Sequence, residues 1–289
     1  MNPKLSLVLG ILCISFSPIF VRLAGTPPIT SAFYRVFIAW LLLAPYCITK
    51  GYLKINLKNL LISVLAGLIF GFDIYFWNIS LFQIAATLST LIANLAPLWV
   101  GLVSFLIFRK NAGLFFWIGT IIAILGMIVL VGYQSVIKLH LSQGVIMALL
   151  ASFFYAMYIL VSKGILGKIA TLTFMFYSML AASVFLLIAC SFQHSNLIQF
   201  SVNSWLNLLG MGIICQLFGW LTINHGLRHL PSTKVSVALL SQTVIAGFWA
   251  YLLLNEKLGI TELIGSVIVL SGIAITFLKP KPTRVKLVS

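Results

Sequence analysis

The chain has 289 residues, of which 62% are hydrophobic and only 7% are charged, and its mean hydropathy is +1.16. Soluble domains carry about 25% charged residues, so this composition excludes an ordinary soluble protein. The formal net charge of +15 arises from 18 basic and three acidic residues.

Ten apolar segments are long enough to cross a membrane, since a transmembrane helix needs about 20 apolar residues. They lie near residues 5–24, 30–49, 59–80, 85–108, 114–132, 144–163, 170–191, 204–226, 233–254 and 261–278. The connections between them are too short for a soluble catalytic domain. The sequence therefore predicts an all-α membrane protein with ten transmembrane helices embedded in a lipid bilayer. The first segment is predicted to be a span and not a cleaved signal, because Pro18 interrupts it and it lacks a small-residue cleavage site.

The basic residues predict the orientation of the chain. If the helices alternate in direction, 14 of the 18 basic residues lie on one side, and only Arg22, Lys138 and Lys257 lie on the other. Arg35 lies inside the second span. The positive-inside rule then places both termini in the cytoplasm. Contacts with anionic lipid headgroups account for the basic residues without a nucleic-acid partner. The expected location is a bacterial inner membrane.

An internal repeat divides the chain into two five-helix halves, residues 1–132 and 133–289. Residues 81–131 align without gaps to residues 227–277 at a shift of 146. The glycines of the first window recur in the second, pairing Gly101, Gly113, Gly119 and Gly126 with Gly247, Gly259, Gly265 and Gly272. Because five is odd, the halves enter the membrane from opposite sides. Such inverted repeats are typical of secondary transporters, which bind substrate near the bilayer midplane.

Three segments carry a family pattern: ITSAFYRVFIAWLLL (29–43), LSTLIANLAPLWVGLVSFLIF (88–108) and WAYLLLNEKLGITELIGSVIVLSGIAI (249–275). They resemble the EamA-type proteins of the drug/metabolite transporter superfamily. The resemblance implies a ten-helix carrier, often an exporter of amino acids or related metabolites. It places Arg35 and Glu256 at the family's usual arginine and glutamate positions. The chain differs from the pattern at Arg109–Lys110, and at Thr243, where helix 9 often has a proline.

Two opposite charges are predicted within the spans. Asp73 lies roughly 10 Å along helix 3 from its outer end, and Arg35 lies roughly 8 Å from the same surface on helix 2. A charge at a helix centre costs about 2.5–3.5 kcal/mol, so such residues usually face a bundle interior or a cavity. Three interpretations stay open: a fixed Arg35–Asp73 salt bridge, a substrate or proton-coupling role for Asp73, and a neutral, hydrogen-bonded Asp73.

Polar and aromatic side chains at helical spacing are predicted to converge on one substrate site. The candidates are Asp73, Trp77, Asn94, Tyr155, Tyr158, Gln216, Trp220, Gln242 and Trp249. Each alone could instead join neighbouring helices. Together they predict an aromatic, mostly neutral pocket that suits a zwitterionic or apolar amino acid, and cation–π attraction would also suit an organic cation. The spans offer no cluster of basic residues for a sugar phosphate.

Glycines on the last helix of each half predict a packing seam. Gly119 and Gly126 on helix 5, and Gly265 and Gly272 on helix 10, each repeat at a spacing of seven residues. Small residues at such positions permit close helix approach.

No motif of an enzyme accompanies these features. The sequence contains no Walker loop, dinucleotide-binding loop or GxSxG nucleophile. His225 and His229 have metal-ligand spacing but no nearby third ligand. We therefore expect no enzymatic activity, no cofactor and no metal.

The leading prediction is a secondary transporter that exports small metabolites, such as amino acids, by alternating access. A multidrug or organic-cation efflux carrier is the alternative, followed by a non-transporting membrane sensor or assembly subunit. A homodimer is left open.

Overall fold

The computed structural model describes residues 1–84, 86–106, 109, 113–132, 142–254 and 259–278. Within these ranges every regular element is helical. Nine of the described helices are long and apolar enough to cross a membrane, and a tenth apolar helix has 17 residues. We number them α1 to α10: Pro3–Ala24, Pro28–Thr49, Leu57–Gln83, Leu88–Leu106, Leu114–Val131, Gln143–Leu166, Thr171–Phe192, Val202–His229, Ser232–Leu253 and Ile260–Thr276. The predicted all-α membrane fold is confirmed.

Three of these spans are interrupted. Helical regularity is lost at residues 15–16 in α1, 94–95 in α4 and 239–240 in α9. Pro18 and Pro97 lie in the first turn after their breaks, where the missing proline N–H leaves no hydrogen bond unmade. The fourth irregularity is a π-helical stretch, Met211–Gly219, inside α8.

The two halves interlock. α3 packs more extensively against α6 and α7 of the second half than against α2 or α4. In the same way, α8 packs against α1 and α2 of the first half. In the repeat, α3 corresponds to α8, α6 to α1 and α7 to α2. The α3–α6 and α3–α7 contacts therefore correspond to the α8–α1 and α8–α2 contacts, as the repeat seen in the sequence predicts. We call the face on which the odd-numbered helices begin the basic face, because the sequence assigns most basic residues to it.

Glycines form the contact between α5 and α10. A Cβ atom at Gly126 would lie 2.5 Å from the backbone nitrogen of Val269, and one at Gly272 would lie 2.5 Å from that of Ala123. Atoms at that distance repel each other, so the two backbones touch with no side chain between them. The predicted glycine seam is confirmed.

Apolar side chains cover the outside of the bundle. Leu61 and Leu65 on α3, and Ile121 and Leu125 on α5, are more than half exposed. Only 33–56% of the residues in the apolar windows of the nine long spans are buried. So much apolar surface would promote aggregation in water, but it matches the hydrocarbon of a bilayer. The chain is a multi-pass membrane protein.

Gly126→Leu is expected to destabilise the fold, because its side chain would meet backbone atoms of α10 that cannot move aside. Overpacking of this kind costs about 1–3 kcal/mol, and occasionally more. Thermal unfolding of the purified protein in detergent should show a lower midpoint. Gly164→Leu on α6 is the control, because a Cβ there meets no atom within 4 Å. Equal midpoints for the two variants would contradict the seam.

Candidate functional site

A cavity lies inside the bundle at the level of the helix breaks. Its volume is about 80 Å³. Its polar wall consists of Ser15, Ser17, Arg35, Asp73, Thr90, Asn94, Gln242 and Thr243. Its aromatic wall consists of Phe70, Trp77, Tyr155 and Trp220. We call this space the central cavity.

Several polar residues of the central cavity lie at the helix breaks. Ser15 lies in the break of α1 and Ser17 follows it, and Asn94 lies in the break of α4. Gln242 and Thr243 follow the break in α9. A broken helix leaves backbone groups without intrahelical partners, and in a bilayer such groups are tolerated only inside protein or beside a cavity.

Arg35 of α2 is held at the wall by two hydrogen bonds. Its Nε donates to Oε1 of Gln216 at 3.0 Å, and a terminal nitrogen donates to Oγ of Ser17 at 3.0 Å. Both acceptors are neutral, so the guanidinium is fixed in position while its charge is not neutralised. Because a guanidinium has five N–H donors, further donors remain for a ligand.

Asp73 of α3 lines the same cavity with a partly exposed side chain. Its carboxylate has no hydrogen bond or ion pair with any described residue. Arg35 and Asp73 line the same cavity, but no direct salt bridge joins these two described side chains. The central cavity therefore contains one fixed guanidinium and one carboxyl group that is not hydrogen-bonded to any described residue.

Asn94 joins α4 to α9. Its Nδ2 donates to Oγ1 of Thr243 at 2.8 Å, and its Oδ1 accepts a hydrogen bond from Nε2 of Gln242 at 2.8 Å. At the repeat shift of 146, Thr243 is the counterpart of Pro97. A threonine hydroxyl at position 243, where the other half has a proline, thus accepts a hydrogen bond that links α4 to α9.

Aromatic rings close the central cavity toward the basic face. Trp220 packs edge-to-face against Phe70, Tyr155 and Tyr158, with ring centroids 4.9, 6.1 and 5.0 Å apart. Such pairs are favourable at 4.5–7 Å. Tyr158 is held in turn by Asn224, whose Nδ2 donates to the Tyr158 hydroxyl at 3.2 Å. We call these four rings the aromatic cluster.

Toward the opposite face, the central cavity adjoins a larger one of about 470 Å³, which we call the vestibule. Pro18, Thr90, Thr243 and Ala246 line both spaces. The remaining vestibule wall comes from the parts of α1, α3, α5 and α9 that lie near the opposite face. Among the described residues, packed rings thus bound the site toward the basic face, and a second cavity adjoins it toward the opposite face.

Most of the side chains that the sequence selected meet at the central cavity. Those that line it are Arg35, Asp73, Trp77, Asn94, Tyr155, Trp220 and Gln242. Tyr158, Gln216 and Trp249 lie behind its wall. Gln216 binds Arg35, and Tyr158 lies beyond Trp220.

Helix irregularities lie at or beside two of these residues, Gln216 and Trp249. Gln216 and Trp220 would share a face of a regular helix, but the π-helical stretch at Met211–Gly219 changes that spacing. Trp249 turns toward the break in α1, where its Nε1 donates to Oγ of Ser15 at 2.9 Å and its ring stacks on Phe16.

The structure adds lining residues that the sequence did not select. These are chiefly Ser15, Ser17, Phe70, Thr90 and Thr243. Two sequence features point to some of them, namely Pro18 beside the α1 break and the replacement of an expected proline by Thr243. Glu256, which the family resemblance selected, lies outside the described residues. Across the described ranges, no group of three His, Cys, Asp or Glu side chains could hold a metal ion.

Comparison of the sequence with models of known protein families identifies the family of this chain. The sequence model of the EamA-like transporter family matches residues 3–132 and 142–278. This chain belongs to the EamA-like transporter family. It is thus a multi-pass membrane transporter of small molecules, and the resemblance found in the sequence is confirmed.

Relatives of this EamA-like transporter include proteins from bacteria and archaea. It is 21% identical over 276 residues to the uncharacterized transporter YdfC of Bacillus subtilis, covering 95% of this chain and 90% of the relative. It is 28% identical over 272 residues to an uncharacterized transporter of Archaeoglobus fulgidus, covering 92% and 94%. An S-adenosylmethionine uptake transporter of Rickettsia prowazekii is 23% identical over 156 residues, covering 53% of this chain and 51% of that protein.

A solved crystal structure has the same fold. It matches with a TM-score of 0.79 at 16% sequence identity, covering 96% of this chain and 97% of that one. At this identity the match concerns the fold alone.

Asn94→Leu is expected to lower the free energy of unfolding, because it leaves the Gln242 amide and the Thr243 hydroxyl without their partner. The loss of a buried partner costs about 1–3 kcal/mol. Asn78→Leu on α3 is the matched control. Asn78 is also buried, but its Nδ2 bonds only the Ile74 carbonyl of its own helix, and its Oδ1 has no partner among the described atoms. Thermal unfolding should separate the two variants, and equal losses would contradict the network's role.

Proposed function

We propose that this EamA-like transporter is a secondary carrier of small zwitterionic metabolites, such as amino acids. One observation carries the proposal: Arg35 and Asp73 line the same cavity without pairing with each other. An amino acid presents a carboxylate and an ammonium group, which complement the guanidinium and the carboxylate of the site.

The electrostatic cost of the site favours such a ligand. Each charge placed within a membrane protein is costly unless it is compensated. A zwitterion compensates both charges at once and leaves the net charge of the cavity unchanged. An anionic sugar phosphate would need several cations, and among the described residues Arg35 is the one basic side chain that lines the central cavity.

The aromatic wall supports an amphipathic ligand. Trp77, Tyr155 and Trp220 present ring faces and edges beside the two charges. Ligand pockets commonly combine an apolar wall with a few polar groups that fix orientation. An amino acid with an apolar side chain has both kinds of surface.

We infer that transport proceeds by alternating access. The vestibule adjoins the central cavity on one side and the aromatic cluster bounds it on the other, which supports access from one face at a time, and an inverted repeat supports a related conformation with the opposite opening. Trp220 supports this, because its buried Nε1 has no hydrogen-bond partner in the described structure. An unsatisfied buried donor costs about 1–3 kcal/mol, and a rearrangement of the cluster could relieve that cost.

The distribution of basic residues and the family resemblance support a direction and a membrane for transport. The bias of the basic residues supports a cytoplasmic basic face and cytoplasmic termini. Export across a bacterial inner membrane is the proposed direction, in keeping with the resemblance to EamA-type exporters. Asp73 is the candidate proton-coupling residue, because it is the acidic side chain of the central cavity.

An organic cation is the second candidate substrate. The Asp73 carboxylate is unpartnered among the described residues, whereas Arg35 already makes two hydrogen bonds. The Rickettsia relative bears the name of an S-adenosylmethionine transporter, and that molecule combines an amino-acid group with a sulfonium cation. Aromatic rings stabilise such cations by about 0.5–2 kcal/mol.

A series of ligands that share a phenyl ring separates the candidates. We expect L-phenylalanine to bind the purified protein at least about tenfold more tightly than phenethylamine or 3-phenylpropionate, because each analogue leaves one buried charge unmatched. Asp73→Asn should remove the preference over 3-phenylpropionate, and Arg35→Gln the preference over phenethylamine. Ligand-induced thermal stabilisation measures all three affinities.

Glu262→Gln is the control for this series, because Glu262 is the other described acidic residue and does not line the central cavity. Arg35→Lys retains the positive charge if Arg35→Gln fails to fold. Stronger binding of phenethylamine than of phenylalanine to the wild type would favour the organic-cation carrier. Binding of none of these ligands would contradict both candidates.

Counterflow tests alternating access. Proteoliposomes preloaded with unlabelled phenylalanine should take up labelled phenylalanine faster than empty ones, because a loaded site returns with substrate from the other side. Protein-free liposomes give the background. Equal rates in loaded and empty vesicles would contradict an exchanging carrier, and the absence of flux would favour a sensor.

A further inference from the structure

The vestibule is a binding space of its own, distinct from the charged central cavity. Apart from Arg22, Thr90 and Thr243, the residues that line it are apolar or are glycines. Its volume of about 470 Å³ falls in the range of about 300–1,000 Å³ that is typical of small-molecule pockets. The central cavity, at about 80 Å³, is far smaller and could hold little more than a charged headgroup.

One side of the vestibule is a run of very small residues on α9. Ala246, Gly247 and Ala250 line it, and a Cβ atom at Gly247 would meet no atom within 4 Å. The repeat counterpart, Gly101, is packed, since a Cβ there would lie 2.6 Å from the ring of Phe116. A side chain at 101 would therefore displace a neighbouring ring, whereas one at 247 would enter open space.

We propose that the vestibule binds the apolar side chain of the substrate, and that Gly247 determines the largest side chain accepted. This rests on the proposed function, in which Arg35 and Asp73 bind the zwitterionic headgroup. The substrate class then narrows to amino acids with large apolar side chains, for which the small residues of α9 leave room.

Continuity with the charged site identifies the occupant. Pro18, Thr90, Thr243 and Ala246 belong to both walls, so a molecule anchored at Arg35 and Asp73 can extend directly into the vestibule. The surroundings also change from charged to apolar along this path, which matches an amino acid oriented with its headgroup inward. A lipid acyl chain would match only the apolar end.

The test compares amino acids that share a headgroup. In the wild type, we expect tryptophan to bind more tightly than alanine. Gly247→Leu should weaken tryptophan binding at least about tenfold, because its side chain fills the space, and should change alanine binding less than about twofold. Gly247→Ala should give an intermediate loss for tryptophan. Gly164→Leu is the control, because its site is equally open but lies on α6 outside both cavities.

Labelling gives a second readout that does not depend on transport. Gly247→Cys should react with a thiol reagent faster than the wild type, whose cysteines at 47, 190 and 215 are buried and at 13 partly buried. Tryptophan should slow this reaction, and alanine should not. Labelling no faster than in the wild type would overturn the proposal.

Equal weakening of tryptophan and alanine by Gly247→Leu would also overturn it, because the vestibule would then be only a passage. So would unchanged tryptophan binding. If the wild type binds neither amino acid, the zwitterion proposal is wrong, but the vestibule proposal can still be tested. The same comparison of a small and a large ligand is then made with ethylamine and tryptamine. Loss of tryptamine binding alone in Gly247→Leu would uphold the vestibule as the apolar subsite. Binding of neither series would overturn both proposals.

Discussion

The structure depends on one constraint, which is that hydrocarbon supplies no hydrogen bonds to a broken helix. Each interruption of a span must find its polar partners inside the protein. In this chain the breaks of α1, α4 and α9 meet at one cavity, where Asn94 links the last two through Gln242 and Thr243. The same irregularity that would destabilise a lone span thus produces the polar wall of the site.

The guanidinium and the carboxyl group of the cavity differ in their partners. Arg35 is positioned by the neutral groups of Gln216 and Ser17, while Asp73 stays unpartnered among the described residues. A direct salt bridge would satisfy both side chains and leave little to attract a ligand. Because they are not paired, a guanidinium and a carboxyl group remain available in one small space, which is the basis of the proposed zwitterion recognition.

Two departures from the repeat lie at the proposed site. Asp73 faces the central cavity, whereas its counterpart Gly219 is a packing glycine, at which a Cβ would lie 2.8 Å from Ile14. Gly101 packs, whereas Gly247 faces open space. The symmetric positions, such as the α5–α10 seam, maintain the fold, and the asymmetric ones give the two sides of the site different chemistry.

The sequence by itself determined the membrane class, the repeat, the glycine seam and most side chains of the central cavity, because hydropathy, glycine spacing and rare intramembrane charges depend on local composition. Tertiary structure decided the rest. The π-helical stretch in α8 moved Gln216 behind Arg35, and the unforeseen break in α1 brought Ser15 and Ser17 to the wall. The regular 3.6-residue spacing used for prediction cannot anticipate such local changes of register, and only packing between the halves shows which residues face a common space.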